Sequence, residues 1–405
     1  MNAAARPRGP APGADDPTAV GPARIAFDAC CFSGNPTGIA NYAGRLLTEL
    51  CAAHPDVQFF GYSTWEPQLP RLPNLTVRVI TPRWRGGPLW QNTQVIDMIE
   101  ADGIDVFWGP NGFTPFRPMR RTATVVTVHD LVHRFAPATQ LPKNRWKQRL
   151  LQRLSARTAD RVVAVSASTA NDVRRYYGRR PEAVIHPIAA SQFRLGAGVP
   201  MHAEVAGRAL PEHFVLCVAT QEPRKNLTSL LQAYLACIDA GVGLPPLVLA
   251  GGRGWLDTPL RSLLDPAIAT GTVVDLGYVA DDELAELYGR CDLFVLPSVY
   301  EGFGMPLLEA QACGAPVLHG AHASMVEASG GVGVAVDATV AGLRAALEAF
   351  ARGELPIACR LSRAFEDDGA SVAEQMWRVA VDAWQEKRQV GRSGKRSHRR
   401  SDAET

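Results

Sequence analysis

The sequence predicts an α/β protein with two doubly wound parallel sheets. From Arg24 onward, short apolar runs alternate with amphipathic stretches, a pattern typical of βαβ units. Between residues 192 and 212 the alternation gives way to Gly, Pro and polar residues, and it then starts again. The 405 residues also exceed what one hydrophobic core usually organises. We therefore expect two domains joined by a linker.

Each element is predicted from its own pattern of apolar residues. The first series predicts strands at Ile25–Asp28, Val57–Phe60, Val77–Ile80, Asp105–Trp108, Thr124–Val128, Val162–Val165 and Ala183–Ile185. Amphipathic stretches between them predict helices at Ala40–Ala52, Gln91–Ala101, Trp146–Ala159 and Thr169–Tyr177. The second series predicts strands at Val215–Ala219, Leu247–Ala250, Val273–Leu276, Leu293–Leu296 and Ala315–Leu318, and helices at Leu227–Ala240, Asp282–Gly289, Pro306–Ala312 and Ser371–Glu386.

The domain bounds follow from these two series. We expect a disordered tail at 1–23, a first domain at 24–191, a linker at 192–212, a second domain at 213–368, a C-terminal helix that crosses back to the first domain at 369–386, and a disordered basic tail at 387–405. A terminal charge run is usually only solvated. The alternative for this tail is weak attraction to anionic lipid, at roughly 1 kcal/mol per basic residue.

Composition excludes several classes of function. The formal net charge of +2 is too small to indicate a nucleic-acid partner. The chain has neither an apolar run of membrane-spanning length nor the apolar segment of a signal peptide. Its eight cysteines form no C-x-x-C pair and lie mostly among apolar residues, as reduced core cysteines do. We expect a cytoplasmic protein, with peripheral contact at the inner membrane face as the further option.

The most informative segment runs from Leu296 to Leu318. Glu301 and Glu309 flank a glycine turn, Gly302-Phe303-Gly304, which leads from a buried strand into a helix near Pro306. Amide N–H groups at such an elbow, together with the helix dipole, favour an anion. The carboxylates suit hydroxyl donors, so the segment predicts a site for a negatively charged, hydroxyl-rich ligand. The alternative is a surface helix with a capping and a solvated glutamate.

A second segment, T-Q-E-P-R-K-N-L at Thr220–Leu227, also follows a predicted strand. Asn226 is predicted to cap the following helix. Arg224 and Lys225 are adjacent cations, and such a pair suits a diphosphate, with Arg binding in bidentate fashion and Lys as a point charge. The alternative is an exposed charged loop.

Weaker signals lie elsewhere at strand ends. Gly38 would allow close approach of a ligand to the first strand–helix turn, although a plain turn explains it as well. His129, at the end of a strand, could bond a sugar hydroxyl or a phosphate oxygen. His129 and His133 have the spacing of helical zinc ligands, but no helical pattern surrounds them, so no metal site is expected. Gly277-Tyr278 could border a base-binding slot.

These motifs together resemble one family. E-G-F-G-M-P-L-L-E, the following A-x-x-x-G-x-P-V and the preceding P-R-K-N are similar to the retaining family-4 glycosyltransferases of GT-B fold, over nearly the whole span from Arg24 to about Gln385. T-G-I-A-N-Y and V-H-D-L resemble the branch of bacterial O-antigen mannosyltransferases. The resemblance implies two Rossmann-like domains facing each other across a cleft, with the acceptor on the first domain (24–191) and the nucleotide sugar on the second (213–368).

The resemblance also implies roles at the donor sugar. Glu301 resembles the glutamate that lies at the sugar, and His129 resembles a histidine near its 6-position. Phe303, Gly304 and Met305 would offer backbone N–H groups to the sugar hydroxyls.

Other roles concern the nucleoside diphosphate. Arg224 and Lys225 correspond to the cations that neutralise the leaving β-phosphate. Leu307 and Leu308 would offer amides to the diphosphate, which Gly38 would approach from the first domain.

The remaining implied roles are Glu309 on the ribose hydroxyls and Tyr278 beside the base. The chain departs from the family where Ala219 stands in place of a frequent Gly. It departs again in the later S-x-x-P-E element, which here reads Ala323-Ser324-Met325-Val326-Glu327.

The predicted reaction is retaining transfer of a hexose from a nucleoside diphosphate sugar to a hydroxyl acceptor, without a metal ion or further cofactor. Branch resemblance favours GDP-mannose, in synthesis of a bacterial surface polysaccharide such as lipopolysaccharide; dTDP-rhamnose and UDP-glucose are the alternatives. The acceptor is a lipid-linked oligosaccharide or a soluble metabolite. A non-catalytic nucleotide-sugar-binding scaffold and a sugar-nucleotide epimerase are the competing functions.

Overall fold

A computed structural model describes residues 21–33, 37–81, 88–137, 145–146, 148–194, 204–254, 258–357 and 369–401, with the backbone alone for 88, 89, 258 and 391–401. The chain divides into two compact units. The first comprises Met1–Thr127, Leu154–Val162 and Ala373–Thr405, and the second comprises Val128–Arg153 and Val163–Val372. The predicted domain bounds remain predictions.

The first sheet has seven strands, β1 to β7 in chain order. They are Arg24–Asp28, Gln58–Ser63, Leu75–Val79, Val106–Gly109, Ala123–Val128, Arg161–Ala164 and Ala183–Val184. Their spatial order is β3-β2-β1-β4-β5-β6-β7, and β1 pairs in parallel with both β2 and β4. Four of the five residues of β1 are buried, which fits a strand covered on both faces.

The helices of this half follow the strands as βαβ connections require. Helix α1 is Gly38–Ala53, α2 Pro88–Gln91, α3 Gln94–Asp102, α4 Val132–Phe135, α5 Arg153–Thr158 and α6 Ala167–Tyr177. Thr37 caps α1 by accepting a hydrogen bond from the Ala40 amide. Gly103 ends α3 in the left-handed conformation (φ 62°), which glycine adopts without strain.

The second sheet contains β10 to β15, and all its neighbouring pairs are parallel. The strands are Val215–Val218, Leu247–Ala250, Val273–Gly277, Leu293–Leu296, Val317–Gly320 and Val334–Val336, in the spatial order β12-β11-β10-β13-β14-β15. Helices α7 to α13 are Leu227–Asp239, Thr258–Ala269, Asp281–Arg290, Met305–Ala312, Ala323–Ser329, Val340–Ala351 and Gly369–Ser401.

The core of the second sheet is built from β-branched and leucine side chains of the strands. Leu230, Leu231 and Tyr234 of α7 pack with Leu343 and Leu347 of α12 in one buried cluster. Burying each such side chain stabilises the fold by roughly 1.5–3 kcal/mol, so this layer fixes the position of the strand ends.

Four predicted elements differ in the structure. The helix predicted at 91–101 is two helices, α2 and α3, because the chain turns at residues 92–93. Of the helix predicted at 146–159, residues 148–152 form a π-helical turn that precedes α5. The predicted linker contains a two-stranded antiparallel hairpin, β8 (Glu204–Val205) with β9 (Arg208–Ala209).

The fourth difference concerns the end of the chain. Helix α13 continues to Ser401, whereas the sequence predicts a disordered tail from residue 387. Lys387 donates to both carboxylate oxygens of Asp160, at 3.0 and 3.1 Å, and the Arg388 guanidinium lies 4.6 Å from the Trp384 ring centre. These contacts hold the first turn of the predicted tail. Residues 1–20 of the tail predicted at 1–23 and residues 402–405 lie outside the described residues.

Two further properties of the described residues bear on function. Within them, no helix combines the length and the apolar character that spanning a membrane requires. Their seven cysteines are free thiols, of which five are buried.

Candidate active site

The order of the second sheet identifies where a ligand would bind. Strands β10 and β13 are neighbours, and from them the sheet grows outward in opposite directions. In doubly wound sheets such a switch point opens a crevice at the carboxyl ends of the two strands, because their following loops turn to opposite faces. The loops after β10 and β13 are the two that the sequence singles out.

The loop after β10 is a short 3₁₀ turn, Pro223–Lys225, and Asn226 follows it in the left-handed conformation (φ 58°). Asn226 occupies the predicted N-cap position of α7, but its side chain makes no capping hydrogen bond there. Its amide instead donates to the carbonyls of Pro297, at 3.1 Å, and Ala338, at 2.7 Å. Asn226 therefore ties the first loop to the backbone that follows β13 and to the backbone that follows β15.

The two loops meet in a buried charge cluster, which we define as Glu222, Arg224, Lys225, Ser298 and Glu301. Arg224 Nη1 donates to Glu301 Oε2 at 2.9 Å, and Lys225 Nζ donates to Glu301 Oε1 at 2.6 Å. The structure thus brings together all three residues that the sequence predicts to be catalytic in this half of the chain.

The rest of the cluster completes this network. Ser298 Oγ donates to Glu301 Oε1 at 2.6 Å, and Arg224 Nη2 donates to Glu222 Oε1 at 2.9 Å. Two cations are therefore balanced by two carboxylates.

Electrostatics keep these groups ionised. Burial alone would raise the pKa of Glu301, but Lys225 and Arg224, with the hydrogen bonds from Lys225 and Ser298, lower it to about 2. Burial would likewise lower the pKa of the Arg224 guanidinium, but the carboxylates of Glu301 and Glu222 raise it above its ordinary value. Both loops therefore present fixed charges across the physiological pH range.

The elbow after Glu301 is shaped by glycine. An added Cβ at Gly302 would lie 2.0 Å from the His129 carbonyl oxygen, so only glycine fits there. Gly304 has φ 107°, which other residues rarely adopt. The predicted strand-to-helix elbow is thus confirmed, with Met305 as the first and Pro306 as the second residue of α10.

Three side-chain hydroxyls donate hydrogen bonds to backbone carbonyls of the elbow. We call this set the hydroxyl clamp: Ser166, Thr169 and Ser324. Ser324 Oγ donates to the Glu301 carbonyl at 2.7 Å. Ser166 Oγ and Thr169 Oγ1 donate to the Gly302 carbonyl at 2.7 and 3.1 Å. The clamp fixes the peptide planes that follow the carboxylate.

The residues at the start of α10 only partly match the ligand-binding roles that the family resemblance implies for them. The Leu307 and Leu308 amides donate to the Gly304 carbonyl, at 2.9 and 3.4 Å, within the first turn. Glu309 is buried one turn into the helix and accepts a hydrogen bond from the Tyr288 hydroxyl at 3.4 Å. Burial and the Glu309 carboxylate raise the pKa of Tyr288, so that this phenol stays a donor.

The structure also places the weaker candidates. His129 lies directly after β5, and its carbonyl accepts from Thr169 Oγ1 at 3.1 Å. Tyr278 is 53% exposed and directly follows β12. Gly38 is the first residue of α1 and belongs to the other unit.

Sequence reasoning missed several groups at this site. His322 lies near Glu301. Burial lowers the pKa of His322, and the Glu301 carboxylate acts in the opposite direction. Glu222 and Ser298 stand two and three residues before predicted site residues, and that proximity was the available signal. In the described part of the chain, no group of three or more His, Cys, Asp or Glu side chains could hold a metal ion.

Comparison with known proteins agrees with the site. Residues 36–188 match the family described as "Glycosyltransferase Family 4", and residues 212–357 match "Glycosyl transferases group 1". The chain is 31% identical to the O-antigen chain mannosyltransferase B of Escherichia coli over 243 residues, which are 57% of this chain and 61% of that protein.

Two further likenesses are informative. The serotype-specific mannosyltransferase WbdA of Escherichia coli is 31% identical over 215 residues, which are 51% of this chain and 26% of that protein. The chain thus spans less than two thirds of both curated relatives. The sucrose-phosphate synthase of Thermosynechococcus elongatus has the same fold, with a TM-score of 0.62 at 19% identity over 91% of this chain and 99% of that one.

The expected fold and family are therefore confirmed. Both sheets are parallel and Rossmann-like, and the two family matches together extend over most of the chain. This chain belongs to the family-4 glycosyltransferases of GT-B fold.

Proposed function

We propose that this enzyme is a retaining mannosyltransferase that moves mannose from GDP-mannose to a hydroxyl acceptor. The observation that carries the proposal is the meeting of Arg224, Lys225 and Glu301 in one buried cluster at the second switch point. Cations held at that position are suited to a diphosphate, because the crevice receives the ligand and the two positive groups already stand side by side before it binds.

In the proposed reaction, the negative charge that needs stabilisation develops on the leaving phosphate. As the bond between the sugar and the β-phosphate breaks, negative charge grows on the phosphate oxygens. Arg224 and Lys225 stabilise that charge, an effect that can supply several kcal/mol in a buried site. These cations provide the positive charge without a metal ion, so we expect turnover to persist in a chelator such as EDTA.

Glu301 has a positioning role in the ligand-free state. It holds Arg224 and Lys225 by one carboxylate oxygen each and remains ionised because its pKa is about 2. The leaving phosphate takes the acceptor proton on the same face, which retains the anomeric configuration. NMR of the product anomer tests this step, and an inverted anomer would exclude it.

The donor is proposed from the relatives. Two curated relatives are named as mannosyltransferases. One name refers to the O-antigen chain, and the other describes its protein as serotype-specific. Glu309, buried beside Tyr288, is proposed to bind the ribose hydroxyls, and exposed Tyr278 is proposed to flank the base. The acceptor is proposed to be a saccharide with a free hydroxyl, carried by a lipid or soluble.

A thermal-shift screen tests the donor. The full chain is heated with GDP, UDP, dTDP and ADP in turn. A nucleotide at 100 times its dissociation constant stabilises the fold by about 2.7 kcal/mol. We expect GDP to give the largest shift; a larger shift with UDP or dTDP would replace mannose by glucose or rhamnose, and no shift with any nucleotide would contradict the proposal.

Donor hydrolysis separates an enzyme from a scaffold. With GDP-mannose and no acceptor, a transferase with this charge cluster releases mannose slowly, whereas a scaffold that only binds the donor releases none. An Arg224→Ala, Lys225→Ala double variant provides the background rate.

Peripheral membrane contact is a separate proposal. It rests on the basic residues beyond Arg388, since Lys387 and Arg388 already contact Asp160 and Trp384. Deleting residues 391–405 is expected to reduce sedimentation with anionic vesicles, while nucleotide binding in solution stays unchanged. Equal sedimentation of the two proteins would exclude this role of the tail.

A further inference from the structure

Glu327 ends the element at 323–327, to which the proposed function gives no role. It lies in α11 three residues after Ser324, a spacing that places both side chains on one face of the helix. From that face Ser324 Oγ donates to the Glu301 carbonyl at 2.7 Å, whereas the Glu327 carboxylate, 20% exposed, reaches the start of α6. Helix α11 therefore contacts both the elbow and α6, and these residues all belong to the second compact unit.

The Glu327 carboxylate completes the first turn of α6. Its Oε1 accepts from the Ala167 amide at 2.7 Å, and its Oε2 accepts from the Ser168 amide at 3.1 Å. The next amide, that of Thr169, donates at 2.9 Å to the hydroxyl of Ser166, the N-cap residue. These three amides have no partner within the helix, and an acidic group at this end also suits the helix dipole. The start of α6 is therefore held by Ser166 and Glu327 together.

The start of α6 holds one peptide of the elbow. Ser166 Oγ donates to the Gly302 carbonyl at 2.7 Å, and Thr169 Oγ1 donates to the same carbonyl at 3.1 Å. The Gly302 carbonyl and the Phe303 amide belong to a single planar peptide. Whatever fixes the direction of the carbonyl therefore also fixes the direction of the Phe303 N–H.

A second route from Glu327 ends at the side chain of the same residue. His186 Nε2 lies 2.9 Å from Glu327 Oε1, and the centre of the His186 ring lies 5.5 Å from that of the Phe303 ring. Burial would raise the pKa of Glu327, but the hydrogen bonds from His186, Ala167 and Ser168 lower it. The carboxylate is therefore ionised at neutral pH and only accepts, so His186 Nε2 carries the hydrogen.

We propose that Glu327 is a positioning residue that holds the Phe303 N–H in the direction required by a hydroxyl of the donor sugar. It acts through the start of α6 and the Gly302 carbonyl on one side, and through the rings of His186 and Phe303 on the other. This proposal rests on the proposed function, together with the role implied for the Phe303 amide at the sugar. It adds a residue that acts on recognition of the sugar and not of the nucleotide.

Comparing GDP with GDP-mannose separates these two parts of the donor. Both are titrated calorimetrically into the full chain and into Glu327→Gln, in which an amide nitrogen replaces one acceptor oxygen. We expect the affinity for GDP-mannose to fall roughly fivefold, as loss of one hydrogen bond does, and the affinity for GDP to stay unchanged. Glu283→Gln is the matched control, because Glu283 also accepts from a backbone amide, that of Ala206 at 3.1 Å.

A double-mutant cycle with Ser166→Ala tests the route through α6. Ser166→Ala alone is expected to weaken GDP-mannose binding and to leave GDP binding unchanged. If both residues act on the same peptide, the two substitutions together cost less than the sum of their separate effects. Additive effects would overturn the route through α6. Amide hydrogen exchange without ligand should also become faster at 167–169 and 302–305 in Glu327→Gln, but not in Glu283→Gln.

The outcomes distinguish this inference from the proposed function. A parent chain that binds neither GDP nor GDP-mannose contradicts the proposed function, and this inference falls with it. If the parent binds both, an unchanged Glu327→Gln, or one that loses affinity for GDP and GDP-mannose by the same factor, overturns this inference alone. The thermal shift with GDP reports folding, and Ser166→Ala carries the test if Glu327→Gln does not fold.

Discussion

The two switch points of this enzyme occupy equivalent positions in their sheets but carry different chemistry. The first sheet, like the second, grows outward in opposite directions from two neighbouring strands, which are β1 and β4. After β10 and β13 stand two cations and two carboxylates; at the ends of β1 and β4, the Asp28 carboxylate accepts from the carboxamides of Gln91 and Asn111. The cations of the second sheet suit a diphosphate, whereas the polar groups of the first satisfy one another within the protein.

The two sites also differ in the partners of their buried carboxylates. Asp28 accepts hydrogen bonds from neutral donors, whereas buried Glu301 is kept ionised by Lys225 and Arg224. A buried carboxylate without such partners would be protonated instead. The comparison can be tested by removing charge or hydrogen bonds from the second sheet's site and measuring turnover, stability and nucleotide binding.

The largest effect is expected from the cations. Arg224→Ala or Lys225→Ala should lower turnover roughly 100-fold or more, about 3 kcal/mol, because each is proposed to stabilise the leaving phosphate. Arg352→Ala, a surface arginine paired with Glu354, is the control. Initial rates with GDP-mannose measure the effect, and near-normal rates in both site variants would remove the phosphate role.

The next effect concerns acid stability. The pKa of Glu301 is lowered from 4.5 to about 2, so its ion pairs stabilise the folded state above pH 4.5. That contribution, about 3 kcal/mol, is lost as the pH falls from 4.5 towards 2. Denaturant unfolding across this range should show a shallower pH dependence for Glu301→Gln than for the parent chain; equal slopes would contradict the assigned shift.

A smaller effect is expected at Glu309. Glu309→Gln should weaken GDP binding about tenfold, because the proposed charged acceptor for the ribose hydroxyls is lost. Glu348→Gln, on the partly exposed face of α12, is the matched control. Calorimetric titration with GDP measures the difference, and an unaltered affinity would exclude the ribose role.

The smallest effect is expected in the hydroxyl clamp. Ser324→Ala removes the hydrogen bond to the Glu301 carbonyl and should raise the KM for the donor roughly fivefold, about 1 kcal/mol. Ser324→Thr, which keeps the hydroxyl, should restore it, whereas Ser262→Ala on the surface of α8 should change nothing. If the threonine variant behaves like the alanine variant, Ser324 acts by packing rather than by its hydrogen bond.

The fold could be read largely from the sequence. Strands covered on both faces give uninterrupted apolar runs, and for Leu293–Leu296 the observed bounds match the predicted ones. Helix α8 was missed because it contains Pro259 and Pro266, residues that usually end a helix. The C-terminal helix was predicted too short because a basic run carries no apolar period, while Lys387 is held by a distant aspartate.

The site could be read only in part. Arg224, Lys225 and Glu301 could be predicted because they are charged residues in the loops that follow β10 and β13. The pairing of both cations with one carboxylate was not, since 76 and 77 positions separate the partners. Ser166 was missed for the same reason: a small polar residue becomes informative only when the fold shows which backbone group it meets.

The internal neutrality of the charge cluster has a consequence for selectivity. With both positive groups already engaged by Glu301 and Glu222, a stray small anion gains little net attraction there, so the abundant phosphate of a cell would be a poor competitor. Only a molecule that adds contacts along the ribose, base and hexose could dislodge the resident carboxylate. Glu301→Ala should then show the opposite behaviour, with inorganic phosphate becoming a stronger inhibitor of nucleotide binding than it is for the parent chain.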